Sequence, residues 1–211
     1  MESPTAEKRI SWYLKGPRGT GDYEAPNVLE LKKKAFKDPL TNLNNREGLR
    51  EIFGKYLEIY KRNIQNASLR VFLIDLDGFK RVNDRLGHKV GDSLLESLAG
   101  RWQKSLRQED VLARIGGDEF VVLAFTGEEV PILERLREGF SEAVRMLNLP
   151  GDLEVGFSIG SARIGEGLNE SGEKIEFDIN NTDAKVLLES ALRLADKNMY
   201  NDKSSKKDER Q

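Results

Sequence analysis

Apolar positions along this chain alternate between two spacings, and each stretch predicts its own element. Leu49, Ile52, Phe53, Tyr56, Leu57 and Tyr60 recur at helical intervals, behind Asn44 or Asn45 as a cap. From Leu69 to Leu76 the chain is almost continuously apolar, which suits a central strand buried on both faces. The pattern predicts a helix over Gly78 to Leu86, a break at Gly87, and a new helix from near Asp92 with Leu94, Leu98, Trp102 and Leu106 on one face. Two apolar runs then flank Gly116-Gly117, which predicts a hairpin over 110–125 closed by a tight Gly-Gly turn with acid at its tip. A helix carrying Leu133, Leu136, Phe140, Val144 and Leu147 follows, then a strand from Leu153 to Ile164 interrupted by Gly156 and Gly160. Residues 165–183 are polar except for Ile175, Phe177 and Ile179, whose alternation predicts a short extra strand. A last helix is expected from about Asp183 to Asp202. The order β-α-α-β-β-α-β-α predicts an α/β (α+β) sandwich, a mostly antiparallel central sheet flanked by helices.

The ends read differently. Residues 1–27, with Pro4, Gly16, Pro17, Gly19, Gly21 and Pro26, predict an irregular leader, and 28–37 a linker helix that stops before Pro39. The main domain is expected over 38–207, with a charged tail at 208–211. With 34 basic and 36 acidic residues, the net charge of −2 offers no attraction to nucleic acid or to an anionic membrane surface. Without cysteine there is no disulfide or thiolate site, and the single histidine, His88, excludes a His-rich zinc cluster. No apolar run reaches the roughly 20 residues of a membrane span, and the first ten residues are not a signal peptide. The expectation is a cytoplasmic protein whose metal, if it binds one, is held by oxygen, which favours Mg²⁺ or Mn²⁺.

The acids supply candidate chemistry. Asp75 and Asp77 end the most apolar strand, and Asp118 and Glu119 sit at the hairpin tip. If strand and hairpin are neighbours, these carboxylates meet. Like charges raise one another's pKa unless a cation joins them, and divalent ions there would hold a triphosphate and polarise an attacking hydroxyl. Taken singly, each acid also reads as an ordinary strand end or wet turn. Lys80 lies within a turn of the same strand, and Lys203 and Lys207 near the C-terminus; all three suit phosphate, and equally suit a solvated surface. Asn83 and Asp92 would lie on opposite faces of one continuous helix, and the break at Gly87 lets both face one pocket. Together an amide and a carboxylate match the N1–H, N2–H₂ and O6 edge of guanine; a surface amide and a helix cap account for them as well. Arg107 and Asp110 pair an arginine suited to O6/N7 with a carboxylate suited to N1–H and N2–H₂, or simply connect helix to strand.

These stretches together resemble the GGDEF family of diguanylate cyclases over about residues 35–207. Asp38 to Arg46 (DPLTNLNNR) is similar to the family's opening motif, and Asp75 to Asn83 (DLDGFKRVN) with Gly87-His88 and Gly91-Asp92 to its second block. Gly116 to Phe120 (GGDEF) is the signature, and Ser158 to Gly160 and Ala195 to Lys203 resemble later blocks. The resemblance implies a palm-like sandwich related to nucleotidyl cyclases, and condensation of two GTP into cyclic di-GMP and pyrophosphate by a homodimer. It implies that Asp75, the Leu76 carbonyl, Asp118 and Glu119 hold Mg²⁺ or Mn²⁺, with Glu119 supporting the metal or activating the 3′-hydroxyl. Asn83 and Asp92 would read guanine, His88 would line that pocket and Phe79 would pack beneath it. Gly116 and Gly117 would admit the triphosphate, and Lys80, Lys203 and Lys207 would bind phosphates. Arg107 and Asp110 fall at the family's inhibitory RxxD site, with Arg135 or Arg137 as a second arginine. Lys206-Lys207 stand where the family carries Gly-Arg, and the 165–183 stretch is longer than the family's. The rival readings are a silent domain that binds GTP or cyclic di-GMP, and a purely structural interaction domain.

Overall fold

The computed structural model of the protein describes residues 35–62 and 68–208, for residues 202 and 204–208 the backbone alone. The leader, the linker helix up to residue 34 and the last three residues of the tail lie outside that range. Elements run α1 (Arg46–Arg62), β1 (Leu69–Asp77), α2 (Phe79–Leu86), α3 (His88–Ser105), β2 (Val111–Arg114), β3 (Glu119–Phe125), α4 (Val130–Leu147), β4 (Gly156–Arg163), β5 (Glu166–Leu168), β6 (Lys174–Glu176) and α5 (Ala184–Asp208).

β1 owes its apolar character to its position. It lies inside an antiparallel sheet of order β2-β3-β1-β4, with hydrogen-bonded neighbours on both edges and helices on both faces. Phe72, Ile74 and Leu76 point into a core shared with Leu94, Leu98 and Trp102 of α3 and Leu136 of α4. Leu69, Val71 and Leu73 point the other way, toward Leu49, Phe53 and Leu57 of α1 and Leu187, Ala191 and Ala195 of α5. The result is the sandwich that the pattern predicts. Trp102 ties the first core together: its indole N–H donates to the Leu136 carbonyl at 2.9 Å, and its ring meets Phe120 edge-on at 5.1 Å.

α5 approaches the sheet unusually closely at Gly160. A Cβ there would overlap the carbonyl of Ala195 and the backbone N of Met199, so the helix backbone rests on the strand with no side chain between. That contact sets the height of α5 over β1 and β4, and Met199 stands one helical turn before Lys203.

Local departures from the sequence pattern have physical causes. α3 begins at His88 rather than near Asp92, because Gly87, with φ 87°, turns the chain in one residue; Asp92 therefore sits within α3 and does not cap it. β4 starts at Gly156, and Gly160 does not interrupt it, since the glycine serves packing and not a bend. The turn between β2 and β3 is not a primed Gly-Gly turn. Neither Gly116 nor Gly117 has positive φ, and the loop is wider, closed by the Ile115 N–H donating to the Glu119 carbonyl at 3.0 Å. The 165–183 segment forms a two-stranded hairpin, β5 with β6; Phe177 and Ile179 lie beyond β6 and pack on the second core. α5 continues past Asp202 to Asp208, where polar residues extend a helix that hydrophobic periodicity cannot signal. Among the described residues no helix is long and apolar enough to cross a membrane.

Replacing Gly160 by valine inserts carbon where helix backbone now stands. Gly160→Val is expected to cost about 2–3 kcal/mol or more, read as a lower urea midpoint by circular dichroism. An unchanged midpoint would show that α5 is not held at this height.

Candidate active site

The antiparallel register brings the two acidic segments together. Asp75 pairs with Glu119 across β1 and β3, and the Leu76 N–H donates to the Asp118 carbonyl at 3.3 Å. Asp118 is partly buried. Its pKa is raised first by burial and next by the charge of Asp75, against the pull of its own backbone N–H, Lys203 and Arg114. Lys203 descends from α5 to form an ion pair and hydrogen bond with Asp75 Oδ2, and its Nζ lies 3.9 Å from Asp77 Oδ1. Burial opposes the charge on Lys203, but the bond to Asp75 and the charges of Asp75, Asp77 and Asp118 outweigh it and raise its pKa. Asp77 accepts two contacts from the Ser158 hydroxyl, at 3.0 and 2.8 Å, and Ser158 is fully buried.

The Glu119 carboxyl group lies over Gly116, where an added Cβ would stand 2.3 Å from Oε2. A side chain at Gly116 would displace the Glu119 carboxyl group, while a Cβ on Gly117 would meet nothing. Among the described residues no three acids or histidines stand close enough to hold a metal ion by themselves. Asp75 and Asp118 nevertheless fit a hard divalent cation. Mg²⁺ characteristically takes one or two carboxylates and completes its shell with phosphate oxygens and water. The Lys203 ammonium against Asp75 marks the same place as one where positive charge is favoured.

The signature turn is braced from outside. The Arg114 guanidinium donates to the Gly117 carbonyl through Nε at 3.1 Å and a terminal N–H at 2.7 Å, and its other nitrogen reaches Asp38 Oδ1 at 2.9 Å. Asp38 also accepts from the Thr41 N–H at 2.8 Å and hydroxyl at 2.7 Å. Burial alone would raise the Asp38 pKa; the Thr41 bonds and the Arg114 guanidinium overcome this and hold it below the ordinary carboxylate value. Sequence reasoning gave Asp38, Thr41 and Arg114 no role. The signal was a charge of each sign inside two motifs, but only the fold shows that they meet.

Asn83 lies against Gly91. A Cβ on Gly91 would overlap the Asn83 amide oxygen and come within 3.3 Å of Phe79, which is nearly buried beneath. The turn at Gly87 therefore brings the Asn83 side chain to the backbone just before Asp92. Asp92, His88 and Lys80 are exposed on α2 and α3, open to solvent. Lys207 lies on α5, with its side chain outside the described residues.

Arg107 and Asp110 form a separate turn at the far end of β2. The Arg107 N–H donates to Asp110 Oδ2 at 2.9 Å, and the Asp110 N–H to the Arg107 carbonyl at 3.0 Å. The Asp110 side chain is only 1% exposed, and burial raises its pKa despite the Arg107 N–H. Arg135 approaches Asp110 at 3.9 Å, and that same buried NH1 has no hydrogen-bond partner. Arg137 instead lines a different cavity, with Glu129 and Phe140. Of the two arginines, Arg135 is the one beside this turn. Tyr56 of α1, stacked on Phe125 at 5.6 Å, donates to the Glu109 carbonyl at 2.6 Å and holds the turn against the domain.

Residues 35–209 match the family described as diguanylate cyclase, GGDEF domain. The chain is 44% identical over 111 residues to the diguanylate cyclase DgcP of Pseudomonas aeruginosa, covering 51% of this chain and 16% of that protein. It is 46% identical over 94 residues to the cyclic di-GMP phosphodiesterase NbdA of the same organism, covering 44% of this chain and 12% of that one. The crystal structure of the Pseudomonas aeruginosa diguanylate cyclase SiaD, in complex with its activator SiaC, aligns with a TM-score of 0.60 at 30% identity, over 84% of this chain and 62% of that one. The chain thus spans less than a quarter of the length of either curated relative. It belongs to the GGDEF family.

The Asp38 network gives a pH prediction. A carboxylate whose folded pKa lies below its unfolded value adds stability above the unfolded pKa and loses it as pH falls through the folded one. Asp38→Asn is expected to cost about 1–2 kcal/mol at neutral pH, with the difference from the parent shrinking below pH ~4 as both pKa values are passed. Urea unfolding at several pH values reads this; a pH-independent loss would mean that the charge of Asp38 is not what matters.

Proposed function

We propose that the chain is a diguanylate cyclase that condenses two GTP into cyclic di-GMP and two pyrophosphates, working as a two-fold homodimer in which each protomer presents one GTP. The observation that carries this reading is the β1–β3 register, which sets Asp75 beside Asp118 and Glu119 at a shared strand end. In this reading Asp75, Asp118 and the Leu76 carbonyl hold Mg²⁺ or Mn²⁺ against the triphosphate, with Glu119 in support. The bound ion would neutralise charge developing on the α-phosphate and ease ionisation of the attacking 3′-hydroxyl. Each 3′-oxygen gives up its proton, bonds to the other nucleotide's α-phosphorus, and pyrophosphate leaves with the bond that breaks; two such steps close the ring. Gly116 and Gly117 let the phosphates lie along the turn, which Arg114 holds in place. Lys80 and Lys203 neutralise phosphate charge, and Lys207 is a further candidate on the same helix. Asn83 and Asp92 pair with the guanine edge, His88 borders that pocket and Phe79 supports it. Two sites facing each other follow from the chemistry, because each nucleotide is both nucleophile and electrophile.

Cyclic di-GMP is proposed to inhibit at the remote turn, where exposed Arg107 meets the ligand while Asp110 and Arg135 organise it. A domain that binds cyclic di-GMP or GTP without turnover is the second reading. It is favoured by the similarity to NbdA, a protein named for the opposite activity.

Mass spectrometry of products from mixed GTP and ATP with Mg²⁺ tests the proposal. Cyclic di-GMP is expected, without a mixed guanine–adenine product; no cyclic product even at high protein concentration would leave the binding reading. Glu119→Ala is expected to lower turnover by about 10²-fold or more while cyclic di-GMP still binds. Arg107→Ala is expected to weaken product inhibition about tenfold or more with kcat unchanged, since a bidentate arginine contact contributes about 1–3 kcal/mol. An unchanged inhibition constant would misplace the inhibitory site.

A further inference from the structure

Lys203 already has an acidic partner in this structure. Ala195, Met199 and Lys203 lie at successive helical turns on one face of α5, and the first two rest directly on Gly160 of β4. The helix cannot rise or roll without losing that contact, so the Lys203 ammonium is delivered to the end of β1 by packing. There it binds Asp75 and lies 3.9 Å from Asp77. Its side chain is 31% exposed and that of Asp75 21%, so the pair is only partly screened by water.

We propose that Lys203 is a built-in counter-cation that a divalent ion must displace from Asp75, and that the displaced ammonium then serves the phosphates arriving with that ion. This rests on the metal-site assignment under the proposed function. The ammonium holds Oδ2 of Asp75, and its charge repels a divalent ion brought to either oxygen of that carboxylate. A bare ion must therefore approach against that charge or break the pair, and either weakens its binding. A metal–nucleotide complex supplies phosphate oxygens within reach of the released ammonium, so the lost pair is replaced. The device disfavours metal without nucleotide and favours the two together. It also sets a positive charge beside Asp75 and Asp77 when no divalent ion is bound.

The test is Mn²⁺ binding without nucleotide, followed by electron paramagnetic resonance, on the parent, Lys203→Met and Lys80→Met. Lys80→Met controls for general field effects, because Lys80 is an exposed lysine just beyond the same strand. Lys203→Met is expected to bind bare Mn²⁺ about fivefold more tightly, the size of a partly exposed ion pair, and Lys80→Met to match the parent. Nitrogen-15 spectra of the lysine ammonium groups give an independent reading in the parent protein. The Lys203 resonance, assigned by its loss in Lys203→Met, should shift when Mg²⁺ is added and shift again with a non-hydrolysable GTP analogue. Mn²⁺ binding with an equal constant in the parent and Lys203→Met, or a Lys203 resonance unmoved by Mg²⁺, overturns the exchange alone. Equal tightening in both variants reduces the effect to net charge and also overturns it. No Mn²⁺ binding by any of the three proteins overturns the metal-site assignment together with this inference.

Discussion

Carboxylates at the end of a strand buried on both faces are the governing constraint. β1 is apolar because it has helices above and below it and hydrogen-bonded strands on either side. Asp75 and Asp77 end that strand and Asp118 lies beside it, so their charges are partly removed from water next to one another. Such an arrangement is unfavourable unless positive charge or hydrogen-bond donors answer it. Lys203 is shared: it pairs with Asp75, lies 3.9 Å from Asp77 and acts at longer range on Asp118, while the Ser158 hydroxyl donates to Asp77 and a backbone N–H and Arg114 favour the charge on Asp118. A cluster balanced largely by one ammonium can be reorganised by one incoming cation without unfolding.

Glycines supply the close approaches that this balance needs. Gly160 lets α5 lie on β4 and so brings in Lys203; Gly91 leaves room for Asn83; Gly116 leaves room for the Glu119 carboxyl group. None of these three has a positive φ, so their role is the absence of a Cβ and not access to unusual dihedrals. Gly78 and Gly87 are the other kind. Their φ values of 80° and 87° let α2 begin directly after β1 and α3 directly after α2.

Much of this was legible in the chain, and the limits have physical reasons. The continuous run at 69–76 predicts the buried strand, and the two acidic pairs at apolar strand ends predict the meeting that the β1–β3 register provides. Hydrophobic periodicity misplaced the start of α3, because Gly87 acts in one residue and His88, Lys89 and Asp92 carry no apolar signal. It also missed the last turns of α5, where the same lack of apolar residues applies. The Gly-Gly dipeptide suggested a tight turn, since a turn preference and a steric requirement have one composition. Lys203 read as tail charge as readily as a site residue, because its partner is 128 positions away. The Arg114–Asp38 contact spans 76 positions and is hidden for the same reason.

The placement of the two turns limits how one can influence the other. Arg107–Asp110 and Gly116–Glu119 bracket β2, which has only four residues, or about 13 Å of strand. β2 is held by β3 along one edge, and on the other the Arg114 N–H donates to the Asn44 carbonyl at 2.8 Å. A one-residue slip of β2 would turn buried Val111, Leu112 and Ala113 to the opposite faces and break both connections. A ligand at Arg107 therefore gains little by sliding the strand. In the proposed reading, a ligand bound at exposed Arg107 acts on how the two protomers meet and not on the register of β2.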